Sequence, residues 1–160
     1  MKRVLAAIDF SDMSSSVLRE AAELARGHGA TLDILHVAAP DPDFVGYGAG
    51  PDTVRDQRAE ALHKEREQLR ELEQTWRENG LEVEARLISG RTVETVLERA
   101  RERGASWIVV GSHGRSAMYK TLVGSVTEAL LRDATVPVLV IPPKAMKSGG
   151  EESHGGTANG

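Results

Sequence analysis

Trp107-Ile108-Val109-Val110-Gly111-Ser112-His113-Gly114-Arg115-Ser116, seven further residues, then Gly124-Ser125-Val126-Thr127: this stretch decides the fold. Four large apolar residues running straight into glycine read as a buried strand that leaves the sheet in a bend. Gly124-Ser125 reads as the opening of a helix that runs from about Ser125 to Arg132. Val136 to Ile141 is apolar throughout and reads as a closing strand.

The same alternation extends back to the first residue. Thr92 is read as the cap of a helix with Val93, Val96, Leu97 and Ala100 at i, i+3, i+4 and i+7, and Gly104 ends it. Leu81 to Ile88 alternates apolar and charged residues, the pattern of a strand covered on one face or lying towards a sheet edge. Thr53 to Asn79 is a long charged helix with one narrow apolar stripe, Leu62, Leu69, Leu72 and Trp76, stopped by Gly80. The charges of 55–78 are most simply a solvated helix face with i,i+4 pairs. Thr31 to Ala38 is a strand whose apolar character is broken only by Asp33 and His36, and a histidine there is most simply a packed core residue. Residues 3–9 form the first strand, closed by Asp9. Ser11-Asp12 offers N-cap chemistry to a helix carrying Val17, Leu18, Ala21, Leu24 and Ala25, and Gly27 and Gly29 stop it.

Nine elements in the order β-α-β-α-β-α-β-α-β predict an α/β fold: a five-stranded parallel sheet with helices on both faces, Rossmann-like, with right-handed crossovers. Ligands of such sheets bind beyond the carboxyl ends of the strands, where strand order reverses. One domain is expected over 1–143. The tail 144–160 has almost no apolar content and is expected to be disordered. Ala39 to Asp52 holds three prolines and the run Gly46-Tyr47-Gly48-Ala49-Gly50, long for a connection inside a domain, and reads as a lid or a mobile loop.

Composition narrows the function. With 40% hydrophobic and 28% charged residues over 160 positions, the chain has globular composition and can bury a real core. A net charge of −4 gives no overall basic surface for nucleic acid. The absence of cysteine excludes disulfides, thiolate metal sites and a cysteine nucleophile. The apolar run after Met1-Lys2-Arg3 stops at Asp9, too short for a signal-peptide core, and Val136 to Pro143 falls far below the ~18 residues of a membrane helix. A cytoplasmic protein without membrane contact is the expectation.

The glycines carry the chemistry. Residues without a Cβ at Gly111 and Gly114 let backbone N–H groups approach phosphate oxygens closely and adopt positive φ. The helix opened by Gly124-Ser125 has free N–H groups and a dipole that favours an anion, and the hydroxyls of Ser125 and Thr127 add two donors. Singly, each glycine reads equally well as a strand exit or a cap; as a set behind a buried strand they describe a phosphate cradle. No G-x-x-x-x-G-K-[ST] is present, and no G-x-G-x-x-G follows the first strand, so neither a P-loop nor a dinucleotide site is expected. His28, His63 and His154 have no metal-binding spacing.

Gly111-x-x-Gly114, nine residues, then Gly124-Ser125 matches the G-2x-G-9x-G-[ST] signature of the ATP-binding universal stress proteins. Val4-Leu5-Ala6-Ala7-Ile8-Asp9-Phe10-Ser11 and Val136-Pro137-Val138-Leu139-Val140-Ile141 also resemble that family. The likeness covers about residues 2 to 142 and departs in the 39–52 loop and the tail; Val110 stands where many members carry Met. It implies ATP as ligand, with Gly111, Gly114, Gly124, Ser125, Val126 and Thr127 lining phosphates and ribose, and Ala7, Asp9 and Val37 bordering adenine. Asp9 would contact a bound Mg²⁺ or the nucleotide, or else hydrogen-bond the Ser11-Asp12 turn. His113 and Arg115, and more weakly Lys120, would add positive charge or stay solvated. The resemblance also implies a homodimer paired through the last strand, where an exposed apolar edge needs covering.

The function expected is a regulatory protein of stress or energy status that holds ATP without consuming it, since no general base is evident beside the cradle. The alternative is an enzyme on the same scaffold, with slow ATP hydrolysis or adenylyl or pyrophosphate chemistry. A phospho-receiver domain needs an acceptor Asp after strand three and a Lys after strand five, where this chain has Ser89-Gly90 and Pro142-Pro143.

Overall fold

Alternation along two central strands builds a core on each side of a single sheet. Val4, Ala6 and Ile8 pack with Val17, Leu18, Ala21, Ala22 and Ala25 on one face, while Leu5, Leu35, Ile108 and Val110 pack with Val96, Ala100 and Leu130 on the other. The computed structural model describes residues 1–40, 52–113 and 123–143. Its elements are β1 (Arg3–Ile8), α1 (Ser14–His28), β2 (Thr31–Ala38), α2 (Asp52–Glu78), β3 (Val83–Ser89), α3 (Thr92–Arg103), β4 (Trp107–Gly111), α4 (Ser125–Asp133) and β5 (Val138–Ile141). All four strand pairings are parallel, in the order β3-β2-β1-β4-β5. The expected α/β architecture is the one observed. The 144–160 tail and most of the 39–52 loop lie outside the described residues.

Gly29, Gly80 and Gly104 end α1, α2 and α3 with φ of +58°, +78° and +62°. That left-handed backbone strains any residue with a Cβ, so these glycines are the stops. Gly27 lies inside α1 and is not one.

Two expected caps belong elsewhere. Met13, not Ser11-Asp12, occupies the N-cap of α1 and makes no side-chain cap bond. Asp9 Oδ1 instead holds the turn that leads into α1, accepting from the Ser11 N–H at 3.0 Å and the Ser14 hydroxyl at 3.5 Å. Thr92 is the first helical residue of α3, behind an extended Arg91 without a side-chain cap bond.

The register opens a crevice. β1 and β4 pair only from Val4↔Trp107 to Ala6↔Val109. Beyond that, Ala7 and Ile8 stay with β2 while Val110 and Gly111 stay with β5. The sheet parts where strand order reverses, between the carboxyl ends of β1 and β4. Among the described residues no helix is long and apolar enough to cross a membrane.

Candidate functional site

Above the crevice lies a cavity of about 750 Å³, within the range of small-molecule sites. Its β4 wall is built by folding the bend back on itself. Ser112 N–H donates to the Ile141 carbonyl at 2.8 Å, and Gly124 N–H donates to the Ser112 carbonyl at 2.7 Å. A Cβ on Gly111 would sit 3.2 Å from the His113 carbonyl oxygen and from Met13 Cε; one on Gly124 would sit 3.3 Å from the Ser112 carbonyl oxygen. Close approach is therefore what these two glycines supply. The positive φ expected of Gly111 is not observed, and Gly124 has φ −74°.

Gly124 is the N-cap of α4, and the first intrahelical bond runs from Glu128 N–H to the Gly124 carbonyl at 2.9 Å. The N–H groups of Ser125, Val126 and Thr127 consequently have no intrahelical acceptor, and all three residues line the cavity. The positive end of the α4 dipole points the same way. Thr127 differs from its expected part. Its side chain is buried, and its hydroxyl donates to the Gly111 carbonyl at 2.8 Å. That proton ties α4 to β4 and is not offered to a ligand; the Thr127 contribution that remains is its backbone N–H.

Ala7, Val37 and Val110 lie on the same side of the sheet and give the cavity an apolar wall. Asp9 closes β1 and lines the cavity, with Oδ1 engaged by the Ser11–Ser14 turn. His113 is half-buried, its Nδ1 2.9 Å from the Ser112 hydroxyl. Gly114, Arg115, Lys120 and the Gly46–Gly50 run lie outside the described residues. No group of three or more His, Cys, Asp or Glu able to hold a metal occurs among the described residues. The donor set at the end of β1, the Asp9 carboxylate across from backbone N–H groups, fits a divalent ion held mainly by ligand phosphates and water.

Several lining residues escaped the sequence reading. Met13 packs against Gly111, and Thr92 brings the first turn of α3 to the cavity. The largest omission is α2, whose Arg58, Ala61, Leu62 and Glu65 form a whole wall. The solvated face read for the charges of 55–78 holds over most of the helix, with Glu73 and Arg77 forming an i,i+4 pair, but not at its cavity end. Glu65 keeps only 19% of its side chain exposed, and Arg58 donates to the Ala39 carbonyl. The signal was present: 58, 61, 62, 65, 69, 72 and 76 continue one helical stripe whose upper end is polar.

His36 is a packed core residue, as read from the sequence. It is 4% exposed, with Nδ1 2.9 Å from the Ile8 carbonyl oxygen and its ring 4.7 Å from that of Phe10. Phe10, at φ +57°, is the one described non-glycine residue in the left-handed region. It marks the sharp turn that lets Asp9 face the cavity while the next ring returns to the core.

The Universal stress protein family model matches residues 1–142. The chain is 33% identical over 144 residues to "Universal stress protein YxiE" of Bacillus subtilis, covering 87% of this chain and 97% of the relative. It is 37% identical over 144 residues to "Universal stress protein A homolog 1" of Coxiella burnetii, with 88% and 95% covered. Among solved structures it is similar to the universal stress protein of Archaeoglobus fulgidus in complex with dAMP, at 27% identity and a TM-score of 0.62, covering 88% of this chain and 97% of that one.

Proposed function

Because the chain belongs to the universal stress protein family, we propose that it is a nucleotide-binding regulatory protein of stress or energy status, with ATP as its ligand. One observation carries the reading: three N–H groups without helical acceptors, on Ser125, Val126 and Thr127, line a cavity beside Cβ-free Gly111 and Gly124 at the sheet's reversal point. Backbone donors at a helix N-terminus favour a phosphate without a dedicated cation. The dAMP complex of the Archaeoglobus relative supports an adenine nucleotide.

In this reading Gly111, Gly114, Gly124 and the first turn of α4 hold the phosphates, with His113 and Arg115 beside them. Ala7, Val37 and Val110 border the base, where a flat purine suits an apolar wall. Mg²⁺ arrives on the phosphates, with Asp9 as the nearby carboxylate. The edge strand β5 pairs two copies into a homodimer, and the cytoplasm is the compartment. Mass spectrometry of nucleotide co-purifying with the protein tests the ligand: ATP or another adenine nucleotide at a substantial molar fraction supports it. A different ligand class in that cavity overturns it.

A further inference from the structure

The α2 wall meets the sheet through a pair of groups that the nucleotide cradle does not use. His36 Nδ1 lies 2.9 Å from the Ile8 carbonyl oxygen. A carbonyl only accepts, so Nδ1 carries a proton. The other ring nitrogen, Nε2, lies 3.3 Å from Glu65 Oε2, a charge contact with no straight hydrogen bond, and both side chains are largely buried at 6% and 19% exposure. With one proton on the imidazole, the Nε2 lone pair faces a carboxylate, and two acceptors repel. With one more proton shared by the pair, the contact becomes an attraction between imidazolium and carboxylate in a poorly solvated place.

We propose that His36 and Glu65 form a proton-operated latch that holds the α2 wall against the end of β1, drawing the cavity closed when the pair carries its extra proton and loosening it when that proton leaves. Histidine is the side chain suited to switching near neutral pH. The sign follows from the pairing: the latch is engaged at the acidic end and released as pH rises. The other titratable groups on the cavity wall are Asp9, Arg58, His113 and Glu128. From α1, the cavity receives Ser14 and Val17, and the β3 neighbour of His36 in register is Leu87, so neither element adds a charge there. Arg58 and Ala61 ride on the same helix as Glu65. A change at the latch therefore moves one whole wall, and what it controls rests on the nucleotide reading above.

The test is hydrogen exchange over residues 58–72 of the ligand-free protein at about pH 6 and about pH 8.5, corrected for intrinsic exchange rates. Wild-type protection should fall roughly twofold to fivefold across that range, the size a partly exposed ion pair supports. In Glu65→Gln the amide can donate to the Nε2 lone pair or, through its oxygen, accept from a protonated Nε2, so protection should stay high and flat. Glu65→Ala should be flat and low. An unchanging wild type, or the same pH step in both variants, overturns the latch. ATP affinity is then compared between wild type and Glu65→Gln at both pH values, so that the titration of ATP itself cancels. Wild type should lose roughly twofold to fivefold relative to the variant. Equal pH dependence in both overturns control of the site by the latch. If the exchange results hold but no nucleotide binds, the latch stands and the nucleotide assignment falls.

Discussion

The Thr127 hydroxyl donates to the Gly111 carbonyl oxygen at 2.8 Å, joining the first turn of α4 to the last residue of β4. With the Gly124 N–H bond to the Ser112 carbonyl at 2.7 Å, it holds the two halves of the candidate cradle together, and Thr127→Val removes it while keeping the side chain's shape. Gly111 is only partly buried, so depriving its carbonyl of this donor costs about 1 kcal/mol, the low end for an unsatisfied group. Thr127→Val should lose about that in urea denaturation and also bind nucleotide more weakly, while Thr127→Ser retains both. A fully stable Thr127→Val would show that the bond positions nothing.

Far from the cavity, Arg3 and Arg103 both contact Asp33 and Glu84: Arg3 at 2.8 and 3.2 Å, Arg103 through its own pair of bonds. The Arg103 hydrogen bond holds the Glu84 carboxyl below the usual range, against a smaller opposing effect of burial. A carboxyl lowered in the folded state stabilises the fold above its unfolded value and loses that contribution as pH falls through the lowered one. Glu84→Gln should therefore be less stable than wild type at neutral pH, with the gap closing as pH falls below the ordinary glutamate range. A gap that stays constant with pH would contradict this role.

The β5 edge gives a test of assembly. Val138 and Val140 are half-buried against the α3–α4 face, so charge placed there would strike the core as well as the edge. Leu139 is 40% exposed and Leu131 on α4 is 49% exposed. Leu139→Glu should yield a monomer by light scattering with little change in thermal midpoint, whereas wild type at micromolar concentration should be a dimer. A monomeric wild type would refute pairing through this edge.

Turnover should be slow. Of the three carboxylates that line the cavity among the described residues, Asp9 holds the Ser11–Ser14 turn through Oδ1, Glu65 faces His36, and Glu128 lies exposed on the first turn of α4. ATP hydrolysis by the purified protein should fall well below the ~10 s⁻¹ typical of enzymes. A rate near that value, lost in Gly124→Asp, would favour the enzymatic alternative.

The fold was legible because its signals are local. Trp107–Val110 ending in glycine, the 17/18/21/25 spacing of α1 and the stops at Gly29, Gly80 and Gly104 each follow from residues within one or two turns. The α2 wall was not legible in the same way. Arg58 and Glu65 look solvated until Ala39 and His36 are placed opposite them, and those partners are 19 and 29 residues away in sequence (58 − 39 and 65 − 36). Thr127 was misread for a related reason. A hydroxyl in a first helical turn is a donor to whatever lies nearest, and only the folded bend shows that the Gly111 carbonyl lies there.

Calorimetry of ATP binding by Gly124→Asp beside wild type tests the central claim most directly. Gly124 has an extended backbone at an N-cap, where aspartate is a favoured residue, and among the described residues the new Cβ would meet the Ser112 carbonyl oxygen at 3.3 Å and His113 Cα at 3.7 Å. The carboxylate can cap the free N–H groups of α4, which offsets the crowding of its Cβ against the Ser112 carbonyl oxygen and keeps the protein folded, and in the same stroke it occupies and repels what the phosphates need. The expected result is ATP binding by wild type and none by a stably folded Gly124→Asp. Equal affinity in the two proteins would contradict the cradle at Gly111 and Gly124.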